Sequence, residues 1–158
     1  MEKKLVTSVG GLGNQMFCYA FYKKMCKEYP NIPFYMDISN SWDGRYERGA
    51  EFLRVFPNIQ IKEASARDIR EIEGKYTFTY RGKGSRYIRM IVDAINKRTM
   101  KSKKKHCITE EIFEEKNRKI EDSDWDNIKY FSGFWQNVEY YLPYMDELQH
   151  DFEYAKIE

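Results

Sequence analysis

The run Val9-Gly10-Gly11-Leu12-Gly13-Asn14-Gln15-Met16-Phe17 joins a short apolar stretch to a long one through three glycines, and the rest of the chain is organised around it. It predicts a strand, a tight turn and a helix. Glycine reaches positive φ angles and lets a backbone come close to a ligand. Asn14 is of the type preferred for capping the first N–H groups of a helix. Such a helix start attracts anions, because its free N–H groups point outward and the macrodipole adds partial positive charge. A glycine-rich αβ turn that binds nothing fits the same spacing.

Two nucleotide-binding patterns can be tested on this run. The phosphate loop requires Gly-Lys-Ser/Thr at its end, and here Gly13 is followed by Asn14 and Gln15, so it fails. The dinucleotide fingerprint G-x-G-x-x-G fits at Gly11 and Gly13, with Asp37 as the acidic residue after a second apolar run. Its third glycine falls on Met16, where a side chain opposes close helix-strand packing, and this disfavours a nicotinamide enzyme.

The run Gly10 to Phe17, continuing through Tyr19-Ala20-Phe21, resembles the N-terminal signature of the bacterial α-1,2-fucosyltransferases of glycosyltransferase family 11. Phe131-Ser132-Gly133-Phe134-Trp135-Gln136-Asn137-Val138-Glu139-Tyr140-Tyr141 is similar to the Gly-Tyr-x-Gln-Ser-x-x-Tyr-Phe segment of that family. Glu51-Phe52-Leu53-Arg54-Val55-Phe56 is similar to its Glu-Leu-x-x-Phe piece. The family's His-x-Arg-Arg-Gly-Asp donor motif has no counterpart: His106 precedes Cys107, and His150 precedes Asp151.

The resemblance implies a B-type glycosyltransferase with two Rossmann-like halves facing a cleft. At 158 residues the chain has the length of one ordinary domain. The expectation is therefore a single Rossmann-like α/β domain over 1–158, the N-terminal half of such an enzyme, with the donor domain missing. The implied reaction moves fucose from GDP-fucose to the 2-hydroxyl of a terminal galactose, without a metal. The donor diphosphate falls to Gly11, Gly13, Asn14 and Gln15, and acceptor-binding candidates are Asp37, Arg45, Glu47, Trp135 and Gln136. Asp37, Glu47 and Glu51 are the carboxylates that could serve as base, none of them convincing. With the donor motif absent, the fragment is expected to be inactive alone. The rival reading is a non-catalytic module that binds a glycan or a nucleotide.

Along the chain, Lys4 to Val9 reads as a buried strand, and about Asn14 to Tyr29 as a helix apolar nearly all round in its first turns. Phe34 to Ile38 reads as a second strand, Glu51 to Phe56 as a short helix, Ile59 to Ile61 as a third strand and Ala66 to Ile72 as another helix. That alternation predicts a parallel sheet. Ser39 to Gly49 is a polar loop carrying Trp42, Arg45, Tyr46 and Arg48, and a strand is suggested within 74–84. Beyond it lies an amphipathic helix, with Tyr87, Ile88, Ile91, Ala94 and Ile95 on one face and Arg89, Asp93 and Lys97 on the other. Tyr130 to Gln136 reads as the last strand, with Asn137 as a cap beyond it and Pro143 opening a helix.

Composition narrows the remaining options. A net charge of +2 is too small to imply nucleic acid, and no apolar run approaches a membrane span. Cys18, Cys26 and Cys107 are odd in number and lack C-x-x-C spacing, which fits a reducing cytoplasm better than disulfides or zinc. The basic run Lys97, Arg98, Lys101, Lys103, Lys104, Lys105 reads as a solvated loop, or alternatively as a weak peripheral contact with anionic lipid at the inner face of a bacterial membrane. The acidic cluster Glu121 to Asp126 lacks the glycine and closing Glu of a calcium loop and reads as an exposed turn.

Overall fold

The computed structural model describes residues 2–39, 49–74, 88, 90–92, 94–98 and 106–154. Strand β1 (Lys4–Thr7) leads into helix α1 (Leu12–Glu28), then β2 (Phe34–Asp37), α2 (Glu51–Val55) and α3 (Ala66–Ile72). Helical residues at 88, 90–92 and 94–98 form α4. β3 (Cys107–Thr109), α5 (Glu110–Glu115), β4 (Tyr130–Ser132) and α6 (Met145–Asp151) complete the order. The four strands form one all-parallel sheet in the order β2-β1-β4-β3, with helices against it, an α/β Rossmann-like arrangement.

Strand alternation divides the sheet into two apolar faces. Val6 lies level with Met36 on one side and Phe131 on the other, and Ile108 continues the row. This row belongs to the main core, together with α1, α2 and α6. Leu5 pairs with Tyr35 and Tyr130, and Cys107 with Tyr130. That row packs against Ala64, Ile69 and Ile72 at α3. Burial of Gln15, Cys18, Tyr19, Ala20, Phe21, Tyr22, Lys24 and Met25 covers nearly the whole circumference of α1. The helix is thus central, with the sheet beneath it and α2 and α6 closing over it. Its tie to α6 is polar: Asp151 accepts from the Tyr19 hydroxyl at 2.6 Å and from Lys23.

Several boundaries differ from the sequence reading. β1 ends at Thr7, α1 starts at Leu12 and β4 stops at Ser132, each strand shorter than its apolar run. The expected strand at Ile59 to Ile61 is absent. The chain instead makes one isolated parallel bridge, Met36 to Glu63, with Met36 N–H donating to Lys62 O at 2.8 Å and Ala64 N–H to Met36 O at 2.9 Å. Among the described residues, the segment after α2 meets β2 at that bridge alone. The third and fourth strands come from 107–109 and 130–132, and no apolar period in the sequence marks β3. A boundary cue was present there: the Thr109 hydroxyl accepts from Ile112 N–H, and Glu110 and Glu111 occupy the first turn. α3 begins with a capping box, in which Ser65 and Asp68 satisfy each other's backbone N–H groups. The suggested strand within 74–84 lies almost wholly outside the described residues.

Candidate functional site

The turn between β1 and α1 sits at the carboxyl edge of the sheet, beside the turn that leaves β4. Thr7 Oγ1 donates to Phe131 O at 2.6 Å, and Ser8 N–H to Asp37 O at 2.8 Å, so the turn starts from a fixed point between β4 and β2. Gly10 takes φ +77°, and a Cβ there would lie 2.6 Å from Asn14 Nδ2. Glycine is required at this position twice over, by conformation and by space. Gly11 is extended and is the residue that opens the helix, its carbonyl accepting from Gln15 N–H at 3.0 Å.

Asn14 is therefore not the helix cap that its residue type predicted. It sits in the first turn, and its Oδ1 accepts from Gln136 Nε2 at 2.8 Å, linking the turns after β1 and β4. No side chain caps α1 and no acidic residue lies in its first turn. The N–H groups of Leu12, Gly13 and Asn14 have no acceptor among the described residues. Gly13 has nothing within 4 Å of where a Cβ would stand, so the first turn of α1 opens to solvent there.

Gln15 faces the other way. It is 1% exposed, its Nε2 donating to Gly10 O at 2.9 Å and Gly49 O at 3.1 Å while its Oε1 accepts from Phe52 N–H at 3.3 Å. Its amide is a clamp between the turn and α2, and it is not offered at the outer face with Gly11, Gly13 and Asn14. Asp37 ends β2 fully buried, and its Oδ1 accepts from Ser39 N–H at 2.7 Å. Glu51 starts α2 near Arg54 at 3.9 Å. Arg45 and Glu47 lie outside the described residues.

Trp135 departs most from its expected place. It is fully buried, its ring stacked on Phe21 with centroids 3.7 Å apart and planes 9° from parallel. The backbone there takes φ +56°, a conformation rare for a bulky residue. Three contacts hold it: the Phe21 stack, its N–H donating to Glu110 Oε2 at 2.8 Å, and its carbonyl accepting from the Tyr141 hydroxyl. Its indole Nε1 has no partner among the described residues. The ring is core, and Gln136, the next residue, carries the exposed amide. Glu110 was not singled out in the sequence, since its contact with Trp135 joins residues far apart in the chain.

Burial pushes the Cys18 thiol up to about 12 while its Sγ donates to Gly133 O at 3.5 Å, and burial likewise raises Tyr141. An apolar groove of about 480 Å³ starts at Gly13 and passes Met16, Phe17 and Ala20 on its way to Leu142 and Met145. Unpaired N–H groups thus stand at the mouth of an apolar wall, an arrangement that can accept an anion attached to a less polar body. Among the described residues no cluster of His, Cys, Asp and Glu could hold a metal ion. Comparison with protein-family models, with curated proteins and with solved structures finds no match to this chain.

Proposed function

We propose that this chain is the N-terminal, Rossmann-like half of a fucosyltransferase that moves fucose from GDP-fucose to the 2-hydroxyl of a terminal galactose, and that it has no turnover by itself. The observation that carries the reading is the open first turn of α1: the N–H groups of Leu12, Gly13 and Asn14 lie unpaired among the described residues, beside Gln136 at the carboxyl edge of a parallel sheet. Open α/β sheets bind ligands at that edge. Backbone N–H groups of this kind stabilise a diphosphate as it leaves. The segments carrying the family resemblance, Gly10 to Phe21 and Phe131 to Tyr141, are the two that meet there.

A departing diphosphate also calls for positive charge. Arginines grip phosphate oxygens through paired, charge-assisted bonds, and the family's guanidinium-bearing motif is missing from this sequence. Helix-end contacts contribute about 0.3 to 1 kcal/mol each, so GDP binds the isolated chain no tighter than about millimolar. Titration calorimetry with GDP, on the chain and on Gly13→Val, tests the site: equal heats from both would remove the turn from consideration. Mass spectrometry of a reaction with GDP-fucose and a galactoside tests the rest. No product is expected from the chain alone, and product is expected on adding a fragment that carries the His-x-Arg-Arg-Gly-Asp segment. GDP binding with no product in either mixture would instead favour the non-catalytic module.

A further inference from the structure

Charge is distributed very unevenly along this chain. Residues 81–105 hold ten of its 27 Lys and Arg but only one of its 25 Asp and Glu, so this stretch carries +9 and the remainder −7. Helix α4 lies inside it. Ile88, Ile91 and Ile95 recur at the spacing of one helical face, and an amphipathic surface helix ordinarily turns such a face inward. Here Ile88 is 42% exposed, Ile91 61% and Ile95 43%, with Met90 at 62%. Among the described residues of α4 it is the polar Asn96 that is buried, while Lys97 and Arg98 are exposed.

We propose that α4 is a membrane-surface helix: it lays its isoleucines into the headgroup boundary of an anionic bilayer while the exposed Lys97 and Arg98 meet the lipid phosphates. The two features call for the same occupant. An apolar stripe beside cationic side chains is what an interfacial helix presents, and binding scales with buried apolar area plus attraction to anionic lipid. A nucleic acid would answer the charge but leave the isoleucines in water. No described helix is long and apolar enough to cross a membrane. The inference stands independently of the fucosyl-transfer reading.

The test is sedimentation of the full chain with vesicles of phosphatidylcholine alone or with equal parts of phosphatidylglycerol. Binding is expected only with the anionic lipid, and weakening with salt. Lys97→Gln and Arg98→Gln should each lower the partition constant about fivefold, the equivalent of about 1 kcal/mol per basic residue. Ile91→Asp should lower it at least about tenfold, as expected for losing one buried aliphatic side chain. These side chains are exposed, so circular dichroism of each variant should match the parent and exclude misfolding. Vesicle binding unchanged by Ile91→Asp would overturn the proposal. So would binding to a polyuridine RNA with none to anionic vesicles.

Discussion

Two turns leave the carboxyl edge of the sheet side by side, and each places a residue at positive φ. In the first, after β1, that residue is Gly10 at +77°, and in the second, after β4, it is Trp135 at +56°. Glycine enters this region freely, whereas other residues pay about 1–2 kcal/mol. The second turn offsets that strain with an aromatic stack, a carboxylate from α5 and a tyrosine hydroxyl. The first needs no such bracing at its positive-φ residue and leaves the N–H groups of Leu12, Gly13 and Asn14 without an acceptor among the described residues. The second turn is fastened through a strained residue itself; the first is fastened around its glycines, by Gln15 from behind and by Asn14 to Gln136.

Substitutions can separate the two cases. The largest loss is expected for Trp135→Ala, about 3–5 kcal/mol in urea unfolding, as for large aromatics removed from a core. Trp135→Gly should recover about 1 kcal/mol of it if the backbone strain persists, and a further loss would contradict the strain. Gln15→Ala comes next, at about 2–3 kcal/mol, because the Gly10 and Gly49 carbonyls and the Phe52 N–H lose their side-chain partner together.

Gly10→Ala should cost about 1–2 kcal/mol for conformation, and more for the approach to Asn14. Adding Asn14→Ala relieves the second part only, so a double-mutant cycle with no coupling would exclude the contact.

Acid reaches the second turn through Glu114. Its carboxyl is held down to about 2 from an ordinary 4.5, first by the Tyr140 hydroxyl, then by Arg118 and Asn137. Because the folded value is depressed, this stabilisation is full above about 4.5 and is lost as pH falls toward 2. Tyr140→Phe should therefore flatten the acid limb of a stability-pH profile while lowering stability at neutral pH, and an unchanged limb would remove Glu114 from the account. The smallest effect belongs to Gly13→Ala: with open space at the Cβ position, it should gain about 0.5–1 kcal/mol from helix propensity.

Local signals made the first turn legible and long-range contacts hid the second. Three glycines between two apolar runs announce a strand, a turn and a helix, and alternation of elements pointed to the parallel sheet. Gln15 and Trp135 misled because residue type carries no direction: an amide beside a glycine turn can point outward to a ligand or inward to a carbonyl. β3 was missed because three residues between a basic run and an acidic helix show no period. The open face of α4 was legible as an apolar stripe, but a stripe in sequence does not disclose whether anything covers it.

The single bridge from Met36 to Glu63 has a consequence for how this chain behaves among its own copies. Among the described residues β2 is an outer strand of the sheet, and a bare outer strand is a template for pairing with another molecule. By taking the Met36 N–H with Lys62 and its carbonyl with Ala64, the segment after α2 occupies the middle of that strand with the chain's own backbone. A segment that joins the sheet through an isolated bridge thus acts as a blunt guard against edge-to-edge aggregation. Losing that bridge would lower the concentration the protein tolerates before its copies pair edge to edge.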